Sequence, residues 1–421
     1  MSDVAALHHA LVDMLTQRGH IRSARVEAAF RAARRHVFLP GVPLDEVYRD
    51  QVFVTKRIDG VAVSSSSQPQ IMAIMLEQLG LLPGHRVLEI GAGTGYNAAL
   101  MAHIVGDTGG VISVDIDEDI VEDARAHLAA AGVERVQVIA ADGGFGHPAA
   151  APYDRIILTV GAWDVAPAWQ DQLRPGGRLV LPLTVGGTQK SVAFEHDAGH
   201  LLSVSVKECL FMPLRGSFAG PGRRVVLGPG PGLNLWVGDR ADVDAEATYA
   251  LLNGRGVDVS ALTRVTAREV YGGVVPWVAL HEPGFCWLEA EGVAIDANPV
   301  PRLFGAPGRF CSTAGVLDGR GACFLMRPPG EPLPAHEEGD PPRFELFVRG
   351  VGDDGPTRRV LDRIAAWEAR GRPGADGLRI RAFPIGVAHD PSPGEIVVPK
   401  RWTRLVLDWP AQPDACASGS R

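Results

Sequence analysis

The chain has 421 residues, 46% of them hydrophobic and 21% charged, with a formal net charge of -8. This is a globular composition long enough for two or three domains. The acidic balance, with no basic run, disfavours nucleic acid, and none is expected as a partner. Five scattered cysteines without a C-x-x-C pair argue against a disulfide framework and against a zinc site, and fit a reducing cytoplasm.

In chain order, "DVAALHHALVDMLTQRG" places Val4, Leu7, Leu11 and Leu15 at helical spacing, with Gly19 as a stop. The start lacks a basic n-region followed by an uninterrupted apolar core, so no signal peptide is expected. No apolar run is long enough to predict a membrane span. "SARVEAAFRAARRHVFLPG" repeats the helical pattern, with Ser23 as N-cap and Pro40 as terminator. Residues 1–60 therefore read as a helical cap. "SSSSQP" (64–69) follows, directly before the apolar helical pattern of "QPQIMAIMLEQLG". A serine run is ordinarily a linker.

From 70 to 215, short apolar strands alternate with helical patterns. The strands are "RVLEIG" (86–91), "GVISVDI" (110–116), "VQVIAAD" (136–142), "DRIILTV" (154–160) and "RLVLPL" (178–183). Such alternation predicts an α/β, Rossmann-like, doubly wound and mostly parallel sheet. "KSVAFEHD" and "LLSVSVKECLFMPL" have no helix between them and predict an antiparallel pair at the sheet's edge. Gly- and Pro-rich "GSFAGPGRRVVLGPGPG" reads as a linker. The domain expectation is 1–217 for the first domain and 218–228 for the linker. A C-terminal α+β domain would cover 229–412, and 413–421 would be a flexible tail.

The chemistry concentrates at three successive strand ends. Glu89, Gly91, Gly93 and Gly95 form a glycine turn between strand and helix, where a ligand can approach the backbone closely. Asp115, followed by Ile116, ends the next strand, where a carboxylate can accept both hydroxyls of a ribose; its other reading is a helix N-cap, which Asp117 fits better. Asp142 can accept an adenine amino group, and Gly143 leaves room for the ring. The three together point to S-adenosylmethionine, ahead of a nicotinamide cofactor, and to no metal.

On these residues the chain resembles the protein-L-isoaspartate O-methyltransferases. The likeness runs over roughly residues 10–215. It includes "RRHVFLP" with His36, Phe38 and Pro40, then "YRDQVFV" and Ser65-Ser66-Ser67-Gln68-Pro69. It continues through "RVLEIGAGTGY", Asp142-Gly143, "YDRIILT" and "LRPGGRLVLP". It implies a class I S-adenosylmethionine-dependent carboxyl methyltransferase that releases S-adenosylhomocysteine. It also implies Ser67 as the residue that positions the acceptor, with Ser64, Ser65 and Ser66 lining the cofactor. Capping of the following helix is the other role open to Ser67. The chain departs from the pattern at Ser66, where isoleucine is usual, and at Arg215, where a small hydroxyl residue is usual. Arg215 either holds a substrate carboxylate or is a surface arginine. His36 reads as a structural or substrate-contact residue rather than a general base.

The extra length and the tetraserine form resemble the branch associated with ribosomally made, modified peptides: lanthipeptides, lasso peptides and graspetides. That resemblance implies methylation of an aspartate in a macrocyclic peptide, followed by aspartimide formation, with the C-terminal domain gripping the peptide. The alternative is general repair of isoaspartyl proteins; a third reading is a cofactor-binding regulator without catalysis. A cytoplasmic monomer with a peptide or protein partner is expected in the first two cases.

Overall fold

The computed structural model describes residues 4–238, 243–297, 300–306, 308–331 and 342–410. The chain forms two compact units. The first holds the chain up to Thr184, then Gln189–Gly220 and Arg379–Asp408; the second holds Val185–Thr188, Pro221–Leu378 and the residues from Trp409.

The first unit opens with helices α1 (Val4–Gln17), α2 (Ala24–Ala32) and α3 (Leu44–Val47). Ser23 caps α2 by accepting from the Val26 amide, as its sequence position predicts. Leu11, Val12, Leu15, Val26 and Phe30 are buried in one core with the later helices. The helical reading stops short of residue 60. Strands β1 (Phe53–Ile58) and β2 (Val61–Ser66) pair antiparallel, and the turn Asp59–Gly60 lies in the left-handed region. The tetraserine run is therefore mostly strand, neither linker nor cap.

Helix α4 (Pro69–Leu79) follows. Its N-cap is Gln68, which makes no side-chain cap bond; Asp50 Oδ1 accepts from the Gln70 amide at 2.8 Å instead. Next come β3 (Arg86–Ile90), α5 (Tyr96–Val105), β4 (Gly110–Asp115), α6 (Glu118–Ala130), β5 (Val136–Ala140), β6 (Tyr153–Leu158) and α7 (Pro167–Gln172). Strands β7 (Leu173–Val185), β8 (Thr188–Asp197) and β9 (His200–Cys209) complete this stretch. The pairs β3–β4, β4–β5, β3–β6 and β6–β7 are parallel. Nearly every residue of β3 and β6 is buried, as a sheet covered on both faces requires.

The second unit contains β10 (Arg223–Val226), β11 (Leu233–Val237), β12 (Gly256–Val265), β13 (Phe285–Glu291), β14 (Phe304–Ala306), β15 (Phe310–Leu317), β16 (Gly321–Met326) and β17 (Phe344–Gly352). Among the described residues these make an eight-stranded sheet in the order β10-β11-β13-β15-β16-β17-β12, with β14 on β15. The helix Gly355–Ala369 lays Val360, Ile364 and Trp367 into its core. The linker expected at 218–228 contains β10, an edge strand of this sheet.

Strands β18 (Arg379–Pro384), β19 (Ile396–Pro399) and β20 (Thr403–Asp408) return to the first unit. Its sheet, ten-stranded among the described residues, runs β19-β20-β18-β9-β8-β7-β6-β3-β4-β5. Two expectations change. The pair β8–β9 lies inside the sheet, and 379–408 does not belong with a domain of 229–412. The main part of the second unit, Pro221–Leu378, is an insertion between β9 and β18. Buried Asp164 fixes the return: its carboxylate accepts from the Trp402 amide at 2.6 Å, the Thr403 amide at 3.3 Å and the Thr403 hydroxyl at 2.5 Å. The four described cysteines are buried and form no disulfide with one another; Cys416 and the tail expected at 413–421 lie outside the described residues. No described helix is long and apolar enough to cross a membrane.

Candidate functional site

The chain order places β3 at the point where the sheet reverses its direction of growth: β4 and β5 lie on one side, β6 and β7 on the other. Loops leaving the C-terminal ends of such strands diverge and leave a crevice. A cavity of about 560 Å³ occupies it, within the range of small-molecule sites. The glycine turn, Ser64–Ser67, Asp115, Ile116, Gly143 and the segment Glu208–Arg215 line it.

The turn has a backbone that side chains resist. Gly91 lies at φ +100°, and a Cβ there would stand 2.6 Å from Thr159 Oγ1. That hydroxyl donates to the Gly91 carbonyl at 2.5 Å, which ties the end of β3 to β6. Gly93, at φ +51°, faces the Ser65 carbonyl, which a Cβ would approach to 3.1 Å. The Gly93 amide donates to Asp115 Oδ2 at 3.2 Å. Asp115 is half-buried, and burial raises its pKa above the ordinary carboxylate value.

Glu89 underlies the turn. Its carboxylate is fully buried and accepts from Asn97 Nδ2 at 2.8 Å and Ser113 Oγ at 2.6 Å. Burial outweighs both bonds and pushes its pKa up to about 7. Asp142 Oδ1 accepts from the Gly144 amide at 2.9 Å and Oδ2 from the Ser217 amide at 2.8 Å. A Cβ on Gly143 would meet Ile90 Cγ2 at 2.4 Å, so only glycine keeps this wall thin.

The serines divide along the strand. Ser64 and Ser66 are buried, while Ser65 and Ser67 are half-buried. Ser64 Oγ accepts from Thr55 Oγ1 at 3.1 Å. Ser66 Oγ is buried on the cavity wall without a hydrogen-bond partner among the described residues, a costly state that a polar ligand would relieve. This orphaned hydroxyl, the glycine cradle and the Asp115 carboxylate fit a ligand with a polyhydroxylated, amino-bearing body, as S-adenosylmethionine has. The arrangement defines a class I methyltransferase.

Several expected residues are placed differently. His36 does not line the cavity; its Nδ1 meets the Tyr48 hydroxyl at 2.6 Å, and burial lowers its pKa. Glu89, Gly95 and Asp142 are not among the residues that line the cavity. Gly95 caps α5 from the left-handed region and packs against the Ala124 carbonyl of α6. Ser67 lines the cavity but does not cap α4. Arg215 is the one cation among the described lining residues. Its side chain is partly exposed and forks onto Asp117 at 2.7 and 3.2 Å.

The residue that sequence reasoning missed is Arg35. Fully buried, it donates to the carbonyls of Val47 (2.8 Å), Arg49 (3.0 Å), Gln51 (2.9 Å) and Ser67 (3.1 Å). Burial lowers its pKa to about 10. It thus holds the entry to β1 and the exit from β2 together. The only available clue was the Arg34-Arg35 doublet beside the histidine that drew attention.

Comparison with known proteins agrees with this geometry. The family model described as Protein-L-isoaspartate(D-aspartate) O-methyltransferase (PCMT) matches residues 6–219, about half of the chain. A Protein-L-isoaspartate O-methyltransferase of Methanopyrus kandleri is 39% identical over 208 residues, which are 49% of this chain and 90% of that protein. One from Thermotoga maritima is 42% identical over 173 residues, 41% of this chain and 54% of the relative. A solved protein-L-isoaspartate O-methyltransferase structure aligns over 89% of this chain and 96% of its own, at 25% identity and a TM-score of 0.49. The chain belongs to the protein-L-isoaspartate O-methyltransferase family, whose members are S-adenosylmethionine-dependent carboxyl methyltransferases.

Proposed function

We propose that the chain methylates a side-chain or α-carboxylate of an aspartyl or isoaspartyl residue in a peptide. The observation that carries this reading is the position of Ser66 and Ser67. They share one wall with the glycine turn and Asp115, in a cavity whose rim carries exposed Val52 and Leu210. Ser64–Ser66, Gly91, Gly93, Asp115, Ile116 and Gly143 would hold S-adenosylmethionine. When bound, that cofactor supplies an activated methyl group. The acceptor carboxylate is ionised at neutral pH, its ordinary pKa being about 4. The chain needs no general base; it needs to orient the carboxylate and exclude water. Orientation of this kind is worth on the order of 7–11 kcal/mol. Ser67 would orient the acceptor, and the bond from Arg35 to its carbonyl fixes the backbone it stands on.

Within that class the preferred acceptor is a specific aspartate of a macrocyclic, ribosomally made peptide. Its ester would close to an aspartimide, because methoxide leaves more readily than hydroxide. Ser66, where the family usually has isoleucine, and the inserted second unit support this acceptor. The second unit would recognise the peptide away from the reacting residue. The names of the relatives support a second reading, repair of isoaspartyl proteins. Mass spectrometry separates the two. An aspartyl macrocycle should gain one CH2 and end with a net loss of water, while a linear isoaspartyl peptide stays unmodified. Methylation of the linear peptide alone would establish repair. Photo-crosslinking of the macrocycle should label residues within 221–378; labelling confined to the first unit would remove recognition from the second.

A further inference from the structure

Residues 214–218 follow β9; Leu214 and Arg215 line the cavity, and Gly216 lies against Asp142 and Ile116. Arg215, Ser217 and Phe218 each anchor the segment. Arg215 forks onto Asp117 at the start of α6. Lys56 of β1 reaches the same carboxylate at 3.0 Å and Asp119 at 2.6 Å. The Ser217 amide donates to Asp142 after β5. Phe218 packs on Trp402 between β19 and β20, with ring centroids 4.6 Å apart, and edge-on to Phe145 at 5.1 Å. Gly216 lies so close beneath them that a Cβ would stand 2.6 Å from Asp142 Oδ2 and 3.0 Å from Ile116 Cδ1.

Asp117 is therefore shared by two cations from different elements, one on the hairpin that carries the serines and one on the segment 214–218. Its carboxylate is mostly shielded, with Arg215 and Lys56 only partly exposed. Its pKa is held below the ordinary carboxylate value by Arg215 first and Lys56 next. Such a bridge remains formed throughout the neutral range.

We infer that residues 214–218 are a strap closing the cofactor cleft, latched by Arg215–Asp117–Lys56 and seated on Trp402 of the C-terminal hairpin. Arg215, Asp117 and Trp402 are positioning residues for cofactor affinity. The sheet strands that return after the second unit are thus part of the cofactor site's support. The inference rests on the cofactor class alone, so it survives either identity of the acceptor.

Calorimetric titration of the full-length chain with S-adenosylhomocysteine tests it. Arg215→Gln and Asp117→Asn should each weaken binding by roughly a factor of five or more at low salt. The double variant should be no weaker than the worse single variant, because both remove one bridge. The gap to wild type should narrow as salt is raised. Trp402→Phe should bind nearly as wild type and Trp402→Ala more weakly. Unchanged affinity in both single charge variants, or a double variant that multiplies their losses, overturns the strap. Hydrogen exchange on the wild-type chain gives a readout independent of any variant's folding. The amides of 214–218 should gain protection on binding S-adenosylhomocysteine, and an unchanged exchange rate there refutes closure.

Discussion

Glu89→Gln should change the pH dependence of stability by a definite amount and in a definite direction. The Glu89 carboxyl is fully buried, and burial pushes its pKa up to about 7 from an ordinary 4.5. Between those values the folded chain binds a proton that the unfolded chain has released. Stability attributable to this group therefore falls as pH rises from about 4.5 to 7 and is constant outside that window. At about 1.4 kcal/mol per pH unit, the cost of ionising it in place is on the order of 3 kcal/mol. Glutamine keeps the shape: its carbonyl can accept from Asn97, and its amide can donate to the Ser113 hydroxyl, which accepts as readily as it donates. Urea unfolding of wild type and variant at about pH 5 and pH 8 isolates the group, because all other titrations cancel in the difference. The variant should gain about 3 kcal/mol on wild type between the two pH values. An equal difference at both would refute the argument, since it would mean that Glu89 ionises folded as easily as unfolded.

Ser66→Ala removes a buried hydroxyl that has no partner among the described residues, so the cofactor-free chain should gain on the order of 1 kcal/mol in urea melts. The same change should weaken S-adenosylhomocysteine binding measured by calorimetry. Arg35→Lys replaces a fork that satisfies four carbonyls with a point charge that cannot span them. A loss on the order of 3 kcal/mol is expected in the same melts. Ser67→Ala should lower kcat while leaving the affinity for S-adenosylhomocysteine unchanged in paired kinetic and calorimetric assays; an unchanged kcat removes its hydroxyl from acceptor positioning.

The parallel half of the sheet was legible because each strand is a short apolar run followed by a helical period. The glycine turn and Asp115 could be placed on it because they sit at strand ends. What stayed hidden depended on partners far away in sequence. Strand β2 buries Ser64 and Ser66 on alternate positions, so its period of two is written in polar residues and no hydrophobic pattern announces it. The role of Arg215 was open because Asp117, its partner, lies 98 residues earlier. The histidine in "RRHVF" drew attention for its chemistry, whereas the neighbouring arginine is the group fully buried and bonded to four carbonyls.

The strands after residue 378 show the same limit at the scale of a domain. Their apolar, alternating segments look like those of the preceding unit, and contiguity assigns them to it. Their pairing says otherwise: Arg381 and Ala382 of β18 lie opposite Leu202 and Leu201 of β9. The Ile380 amide also donates to Ser203 Oγ at 2.8 Å. A chain that leaves the sheet after β9 and re-enters it beside β9 carries its second unit as an insertion tethered at both ends. Truncating everything after residue 220 would therefore remove three strands of the methyltransferase sheet and the indole under Phe218, not just the inserted unit. Loss of activity in such a truncation cannot distinguish a lost recognition domain from a damaged cofactor site. A recognition role for the second unit has to be tested with the strands left in place, by crosslinking or by surface substitutions within 221–378.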